Sequence, residues 1–396
     1  MSATPSVADA SRPSPRWRAL LAGLVALGTV ALATPNARLS WLLALGALAG
    51  VSLSHAAFGF SAAYRRLLVA REIAPVQAQL LMLALATVLF APVLAAGSAF
   101  GVPVVGASAP VGWQLAFGAL FFGIGMQLGG GCASGTLYAL GGGSVRMTAT
   151  LVAFCAGGFA ASLQMGLWQR LPDAGEIVLG ELFGWPTAVA LQLALLAGLS
   201  ALLRTIKQSP PQPIEPALPP RAREAAFARV IFGPWPLSAG AAMLALLNLA
   251  TLVSSGHPWS ITWAFTLWAA KAAATLGWNA SGSTYWHGVF QQHALAAPVL
   301  ADETSVMDIG IVLGAFIAAS AAGSLATTWH VPARSLAAAL IGGALMGYGA
   351  RLAYGCNIGA FFSGVASTSL HGWLWIACAL PGNWLGVRLR PAFGLR

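Results

Sequence analysis

Two cysteines, Cys132 and Cys356, lie in glycine-rich segments that resemble each other, and they carry the strongest chemical signal in the chain. The segments are 118–136 and 342–360. They share identical residues, nearly all glycine or cysteine, at Gly118/Gly342, Gly123/Gly347, Gly125/Gly349, Leu128/Leu352, Gly131/Gly355, Cys132/Cys356 and Gly135/Gly359. In membrane proteins, paired helices that break at glycine-rich stretches are typical of a substrate site between two repeats. The pattern therefore predicts a transporter or a channel.

Each cysteine comes just before residues that favour the start of a helix. Ser134 follows Cys132 and Asn357 follows Cys356, and Ser and Asn side chains often cap helix N-termini. We therefore expect one short helix from about Ser134 to 141–143 and another from Asn357 to about 364. The free N–H groups and positive dipole end of such a helix attract anions, and glycines let a substrate approach the backbone closely. The residues predicted to line the path are Gly131, Cys132, Ser134, Gly135, Gly355, Cys356, Asn357 and Gly359.

The other two cysteines, Cys155 and Cys378, are expected to pack as small apolar side chains within helices. A thiol just outside a helix N-terminus, as at Cys132 and Cys356, instead faces whatever the helix dipole attracts. The sequence has no C-x-x-C pair, no mixed Cys/His metal spacing and no Walker motif. We therefore expect no cofactor, no metal ion and no enzymatic activity.

The composition is that of a protein embedded in a lipid bilayer. Hydrophobic residues make up 58% of the chain, charged residues make up 8%, and the mean hydropathy is +0.77. A soluble domain has about a quarter of its residues charged, and a helix needs roughly 20 apolar residues to cross the hydrocarbon core. The predicted helical stretches are 17–34, 40–60, 75–97, 112–130, 147–168, 186–206, 235–255, 258–278, 305–328, 333–353 and 371–389. We predict an all-α, polytopic membrane protein.

The distribution of charge indicates two halves and their orientation. The net charge of +10 comes from cations near helix ends and in the segment 204–229. The positive-inside rule puts cations there, so the charge does not indicate a nucleic-acid partner. We divide the chain into an N-terminal tail (1–16), a first membrane repeat (17–206), a Pro-rich linker (207–234) and a second membrane repeat (235–396). If 258–278 dips into the membrane and returns, the C-terminal arginines are cytoplasmic and the two breaks approach the midplane from opposite faces. The expected fold is then two pseudo-twofold, inverted repeats with membrane-dipping loops and half-helices.

The segments GGGCASGTLYALGGGS and GCNIGAFFSGVASTSLHGW resemble the paired signatures of the YeeE/YedE sulfur-transport family, whose members are associated with thiosulfate uptake. The likeness extends from about His55 through the C-terminal helix. It implies an hourglass-shaped helical bundle in the bacterial inner membrane, in which Cys132 and Cys356 relay thiosulfate or a related sulfur anion by S–H hydrogen bonds. It also implies a sulfur-carrier or sulfur-metabolism partner on the cytoplasmic side. The thiosulfate carriers have a third, early cysteine, where this sequence has His55-Ala56-Ala57-Phe58-Gly59-Phe60-Ser61.

Strong cations are expected at the entrance rather than along the path, because conduction needs sites weak enough to release the ion. The candidates are Arg66, Lys271 and Arg351, and a lysine between apolar residues of a membrane segment is a functional candidate by default. Asp308 is expected at the membrane interface. Two alternatives remain open. One is a general channel for small anions or neutral solutes, in which cysteine replacement has no effect, and the other is a membrane thiol–disulfide protein.

Overall fold

The computed structural model describes residues 16–206, 224–325 and 330–395, which are mainly helical. The α-helices of this part are α1 Trp17–Ala33, α2 Ala37–His55, α3 Phe60–Arg65, α4 Ala74–Ala96, α5 Trp113–Gly129, α6 Ala133–Gly141, α7 Val145–Leu163, α8 Met165–Trp168, α9 Leu179–Phe183, α10 Trp185–Arg204, α11 Glu224–Phe232, α12 Leu237–Ser255, α13 Thr262–Thr275, α14 Val289–Ala296, α15 Glu303–Ala321, α16 Ala333–Leu352, α17 Ser363–Ala366 and α18 Leu370–Leu389. Segments Arg66–Ala70 and Asn357–Phe362 are π-helical, and Ala280–Gly282, Val299–Ala301 and Arg390–Phe393 are 3₁₀-helical. Two antiparallel ribbons pair β1 Ser98–Ala99 with β2 Val102–Pro103, and β3 Pro110–Gly112 with β4 Asp173–Glu176.

Eight helical segments of the described ranges are long and apolar enough to cross a bilayer, judged by length and composition. They contain α2, α4, α5, α7, α10, α12, α15 and α16. The predicted all-α polytopic membrane fold is therefore confirmed. Helix α13 has only 14 residues, or about 21 Å at 1.5 Å per residue, against a hydrocarbon core of roughly 30 Å. This length is compatible with a segment that dips into the membrane and returns.

Helices α5 and α16, which precede the two breaks, pack against each other in opposite directions. Gly118 of α5 lies against Gly349 of α16, and Gly125 lies against Gly342. A Cβ at any of these positions would overlap backbone or side-chain atoms of the other helix, and small residues are what let membrane helices approach so closely. Because the two helices are antiparallel, their C-termini, from which the breaks continue, lie at opposite ends of the pair.

Helix α12 runs beside α2 and joins the two ends of the bundle. Arg38, near the start of α2, donates hydrogen bonds to the carbonyl oxygens of Ser254 at 2.8 Å and Ser255 at 3.1 Å. At the other end, the Trp235 N–H donates to the His55 carbonyl oxygen at 2.8 Å. The 19 residues of α12 therefore separate the two ends by about 28 Å.

Parts of the predicted domain division fall outside the described residues. Residues 1–15 of the N-terminal tail and 207–223 of the Pro-rich linker lie there. The last part of the predicted linker includes the helix α11. The division into two repeats stays a prediction.

Candidate functional site

The first break starts from a helix end that is held by two arginines. Arg146 donates to the carbonyl oxygens of Leu128 and Gly129, both at 2.6 Å. Arg390 donates to the carbonyl oxygen of Gln127 at 2.7 Å. The last carbonyls of a helix have no partner within it, so cationic donors satisfy both their hydrogen bonds and the dipole. The C-terminus of α5 is thereby fixed in place.

Cys132 is the N-cap residue of α6. Its sulfur accepts a hydrogen bond from the Gly135 N–H at 3.4 Å and lies 3.3 Å from the Ser134 hydroxyl oxygen. The helix runs where the sequence predicted, but the prediction that Ser134 caps it is wrong. Cys132 has the extended backbone that a capping residue needs, whereas Ser134 is already inside the helix. Cys132 and Ser134 are both buried.

The second break has the same cap but a different continuation. Cys356 accepts a hydrogen bond at its sulfur from the Ile358 N–H at 3.4 Å. Asn357 begins a π-helix, which α17 extends to Ala366. The Asn357 side chain does not cap the helix as predicted, because Cys356 holds that position. The Gly355 carbonyl oxygen accepts a hydrogen bond from the Trp375 indole at 3.3 Å.

Tyr64 of α3 lies between the two breaks. Its hydroxyl group lies near the side chains of Cys132 of the first break and Asn357 of the second, and it approaches the Asn357 amide without the geometry of a hydrogen bond. Tyr64 is 2% exposed and Asn357 is fully buried. Even so, the Tyr64 hydroxyl and both polar atoms of the Asn357 side chain form no hydrogen bond within the described part of the chain. Buried polar groups are nearly always paired, so this group of atoms is suited to a polar ligand.

Sequence reasoning missed Tyr64. Its only signal was a single phenol in an otherwise apolar stretch that follows Gly59. Nothing in that stretch indicates that the ring faces Asn357, almost 300 residues later in the chain.

A cavity of about 480 Å³ opens beside the second break. Its lining includes Ser260, Tyr285 and Arg351. Ser260 lies against Gly359, where an added Cβ would stand 3.2 Å from the serine oxygen. The Arg351 guanidinium lies over the Tyr285 ring, 4.9 Å from its centre, and its Nε has no hydrogen-bond partner among the described residues. The cavity therefore extends from the Arg351 guanidinium to the break that contains Cys356.

The acidic residues at the mouth of this cavity already have partners. Glu303 pairs with Arg38 at 2.6 Å and with His257 at 3.1 Å, and Asp302 caps α15. Burial alone would lower the pKa of His257, but hydrogen bonds to Glu303 and to the Pro258 carbonyl raise it above its ordinary value. The charge of the carboxylates is thus partly balanced where Arg351 faces the cavity.

A second, smaller cavity of about 30 Å³ lies beside the first break. Its lining includes Phe58, Gly59, Arg66 and Leu237. Gly59 lies next to the Tyr138 hydroxyl of α6, and Leu237 is the first residue of α12. The larger cavity includes His257, two residues beyond the end of α12. The two cavities therefore lie at opposite ends of a membrane-length helix.

Lys271 is placed differently from the other predicted site residues. Its Nζ donates to the carbonyl oxygens of Leu295 at 2.8 Å and Ala297 at 2.5 Å, at the C-terminal end of α14. Ala297 lines the larger cavity, but Lys271 does not. Of the remaining predicted residues, Arg351 lines this cavity, Gly359 is half-buried beside it, and the rest are buried in the two breaks, namely Gly131, Cys132, Ser134, Gly135, Gly355, Cys356 and Asn357.

The helical architecture and the two buried half-helices define a multi-pass membrane protein whose centre is flanked by a cavity on each side. The family described as Sulphur transport matches residues 55–385, so the chain belongs to that family. This confirms the resemblance found in the sequence.

Several named proteins are similar to the chain. The probable transporter YedE of Escherichia coli (strain K12) is 34% identical over 141 residues, which is 35% of this chain and 34% of that protein. The thiosulfate transporter TsuA of Spirochaeta thermophila is 27% identical over 278 residues, 67% of this chain and 74% of that protein. TsuA of Escherichia coli (strain K12) is 25% identical over 293 residues, 69% of this chain and 74% of that protein. The match thus spans about a third of YedE. The family and these relatives are transporters rather than enzymes.

Proposed function

We propose that the protein moves thiosulfate or a related small sulfur anion across the bacterial inner membrane, along a path between the two cavities. The observation that carries the proposal is the group of buried, unpaired polar atoms on Tyr64 and Asn357, between Cys132 and Cys356. A permanently empty site of this kind would be costly. The names of the TsuA relatives support a sulfur anion as the substrate.

The capping geometry leaves each thiol able to donate its proton. Each sulfur accepts an N–H from its own half-helix, Gly135 for Cys132 and Ile358 for Cys356. A buried thiol without a neighbouring cation stays neutral, so the S–H remains available for an oxygen or sulfur atom of the anion. Because S–H is a weak donor, the anion is held without being trapped, as conduction requires.

The proposed path has a cation at each end and weaker, neutral donors between the two. Arg351 collects the anion in the larger cavity, and the N-terminus of the second half-helix with Cys356 receives it. Tyr64 and Asn357 then pass it to Cys132, from which the smaller cavity and Arg66 lead out. Transport in the reverse order would use the same groups.

The inverted repeat belongs to the same proposal. The antiparallel packing of α5 and α16 supports it, because it brings the two breaks in from opposite ends. A soluble sulfur-carrier partner on the cytoplasmic side remains a further part of the proposal.

Two other functions use the same elements. A thiol–disulfide protein would bring an attacking and a resolving cysteine together, whereas all four cysteines are free thiols and each break contains a single one. A general channel for small anions or neutral solutes needs only the half-helices and is indifferent to the thiols.

Uptake of labelled thiosulfate by a bacterial strain without other uptake systems tests the proposal. We expect saturable uptake for which unlabelled sulfur anions compete and glycerol does not. Sulfite and sulfate in the same assay identify the preferred anion. Equal competition by glycerol would contradict the proposal and support the neutral-solute channel.

A further inference from the structure

Asp308 is a carboxyl group in a helix that is long and apolar enough to span the membrane, and it has no partner among the described residues. It is fully buried in α15, and neither carboxyl oxygen forms a hydrogen bond within the described residues. Although α15 begins at Glu303, neighbouring helices already cover Asp308 completely. Its place at the membrane interface stays a prediction. An isolated buried carboxylate is strongly unfavourable, so the protonated form of the group is the more stable one in these surroundings.

The proton has a short route to the larger cavity. Thr304 lines this cavity, and Asp308 follows it by four residues. Residues spaced by four lie on one face of a helix, about 6 Å apart along its axis. Asp308 therefore lies one turn below the cavity.

Asp308 also lies within electrostatic reach of the proposed path. Its carboxyl group lies close enough to the thiol of Cys356 and to that of Cys155 in α7 for a negative charge on Asp308 to act on both. An anion at Cys356 and a carboxylate at Asp308 would repel each other in surroundings that screen poorly. The anion therefore binds best when Asp308 is protonated, and by linkage the proton binds best when the anion is present.

No charged group of the described residues pairs with Asp308. The described titratable groups on its own helix and on the elements packed against it are the N-cap Asp302 and Glu303 of α15, Arg38 and His55 on α2, Tyr138 on α6, Lys271 on α13, Arg18 on α1 and Arg229 on α11. The His55 ring is already hydrogen-bonded to the Ile231 carbonyl oxygen at 3.0 Å. Arg38 is paired with Glu303, Lys271 is bound to carbonyl oxygens, and Arg18 and Arg229 are exposed. Within the described part of the chain, protonation is thus the remaining way to remove the negative charge of Asp308.

We propose that Asp308 couples transport to protons, so that the anion and one proton cross together. This rests on the proposed transport function. Asp308 takes up a proton from one side while the anion binds near Cys356. It releases the same proton on the other side as the anion leaves, and no covalent bond to the anion forms. The substrate gradient and the proton gradient then drive each other.

Accumulation of labelled thiosulfate in proteoliposomes tests the coupling. The membrane potential is held at zero with valinomycin and equal potassium, with or without an inward proton gradient of one pH unit. One proton per anion allows the gradient to raise accumulation by up to about tenfold, since one pH unit is a factor of ten in proton activity. Asp308→Asn should lose this response while still exchanging labelled for unlabelled thiosulfate. Glu181→Gln, which removes an exposed acid on α9, should keep the response.

The outcomes separate this inference from the transport proposal. No thiosulfate uptake or exchange by the wild-type protein would overturn the transport function itself. Wild-type uptake that ignores the proton gradient, or an Asp308→Asn variant that keeps the response, would overturn the coupling alone. If Asp308→Asn fails to insert into the membrane, the wild-type protein alone tests the coupling. A pH-sensitive dye inside wild-type vesicles should then report acidification during thiosulfate uptake, because coupling requires protons to enter with thiosulfate. Thiosulfate uptake without acidification of the vesicle interior would contradict the proposed coupling.

Discussion

The first break continues as a nine-residue α-helix, whereas the second continues as a six-residue π-helix before α17 begins. At equivalent positions the backbone turns through Gly130, at φ +87°, and through Tyr354, at φ +58°. Tyr354 has to hold a conformation that glycine adopts without strain. Similar sequences thus give a relaxed first break and a strained second one, and π-helical turns are often found at functional sites.

The surroundings of the two breaks explain the difference. Arg146 and Arg390 bind the end of α5 through charged groups. The end of α16 is bound by the neutral amide of Gln114, which donates to the Leu352 carbonyl oxygen at 3.0 Å. The larger cavity lies beside this second break. We therefore expect changes near the first break to affect stability most and changes in the second break to affect transport most.

The largest contrast is expected between the glycines that precede the cysteines. Gly355 has φ +152°, and an added Cβ would stand 2.8 Å from the Ala360 nitrogen, whereas at Gly131 the nearest atom would be 3.2 Å away. Strained backbone costs about 1–3 kcal/mol. Gly355→Ala should therefore lower uptake per inserted protein by roughly 10-fold to 100-fold, and Gly131→Ala should lower it less. Equal effects would show that the breaks are equally relaxed.

The next contrast concerns stability. Arg146→Ala removes charged hydrogen bonds to Leu128 and Gly129, each worth about 1.5–3 kcal/mol, whereas Gln114→Ala removes one neutral bond worth about 1 kcal/mol. The apparent melting temperature in detergent should fall further for Arg146→Ala. A larger fall for Gln114→Ala would mean that the second break is the better anchored one.

A smaller contrast concerns the entrance. Arg351→Gln should raise the half-saturation concentration of uptake by about threefold to tenfold, because a steering charge contributes on the order of 1 kcal/mol. Lys271→Gln should change the half-saturation concentration less, since the Lys271 ammonium group already donates hydrogen bonds to two carbonyl oxygens. Concentration curves at low and moderate salt measure both variants. A higher half-saturation concentration for Lys271→Gln but not for Arg351→Gln would indicate that the anion enters beside α13.

The smallest contrast is in pH dependence. The raised pKa of His257 means that its protonated form stabilises the fold. This stabilisation is complete below the ordinary pKa of 6.5 and is lost as pH rises through the raised value. From pH 6 to pH 8, the melting temperature of the wild type should fall slightly more than that of His257→Gln. Glu72→Gln, which breaks the Arg66–Glu72 pair near the smaller cavity, should leave the pH dependence unchanged, and parallel curves for all three proteins would refute the assignment.

The sequence predicted the features that depend on local pattern. Apolar length located the helices, and the glycine–cysteine pattern located both half-helices to within a few residues. It did not predict which atom caps them, because Cys132 and Ser134 are only two residues apart and backbone angles decide between them. It did not predict the complete burial of Asp308 or the position of Tyr64, since both depend on contacts between distant helices.

The central claim is that both thiols line one path, and uptake by the single and double variants Cys132→Ala and Cys356→Ala tests it most directly. A hydrogen bond to a charged partner is worth about 1.5–3 kcal/mol, so each loss should lower uptake by roughly tenfold or more. Cys356→Ala should be the more severe, because Ser134 lies 3.3 Å from the Cys132 sulfur and can donate in its place. Cys155→Ala and Cys378→Ala serve as controls and should keep most activity. Full uptake by either Cys132→Ala or Cys356→Ala, at normal membrane levels, would contradict the claim.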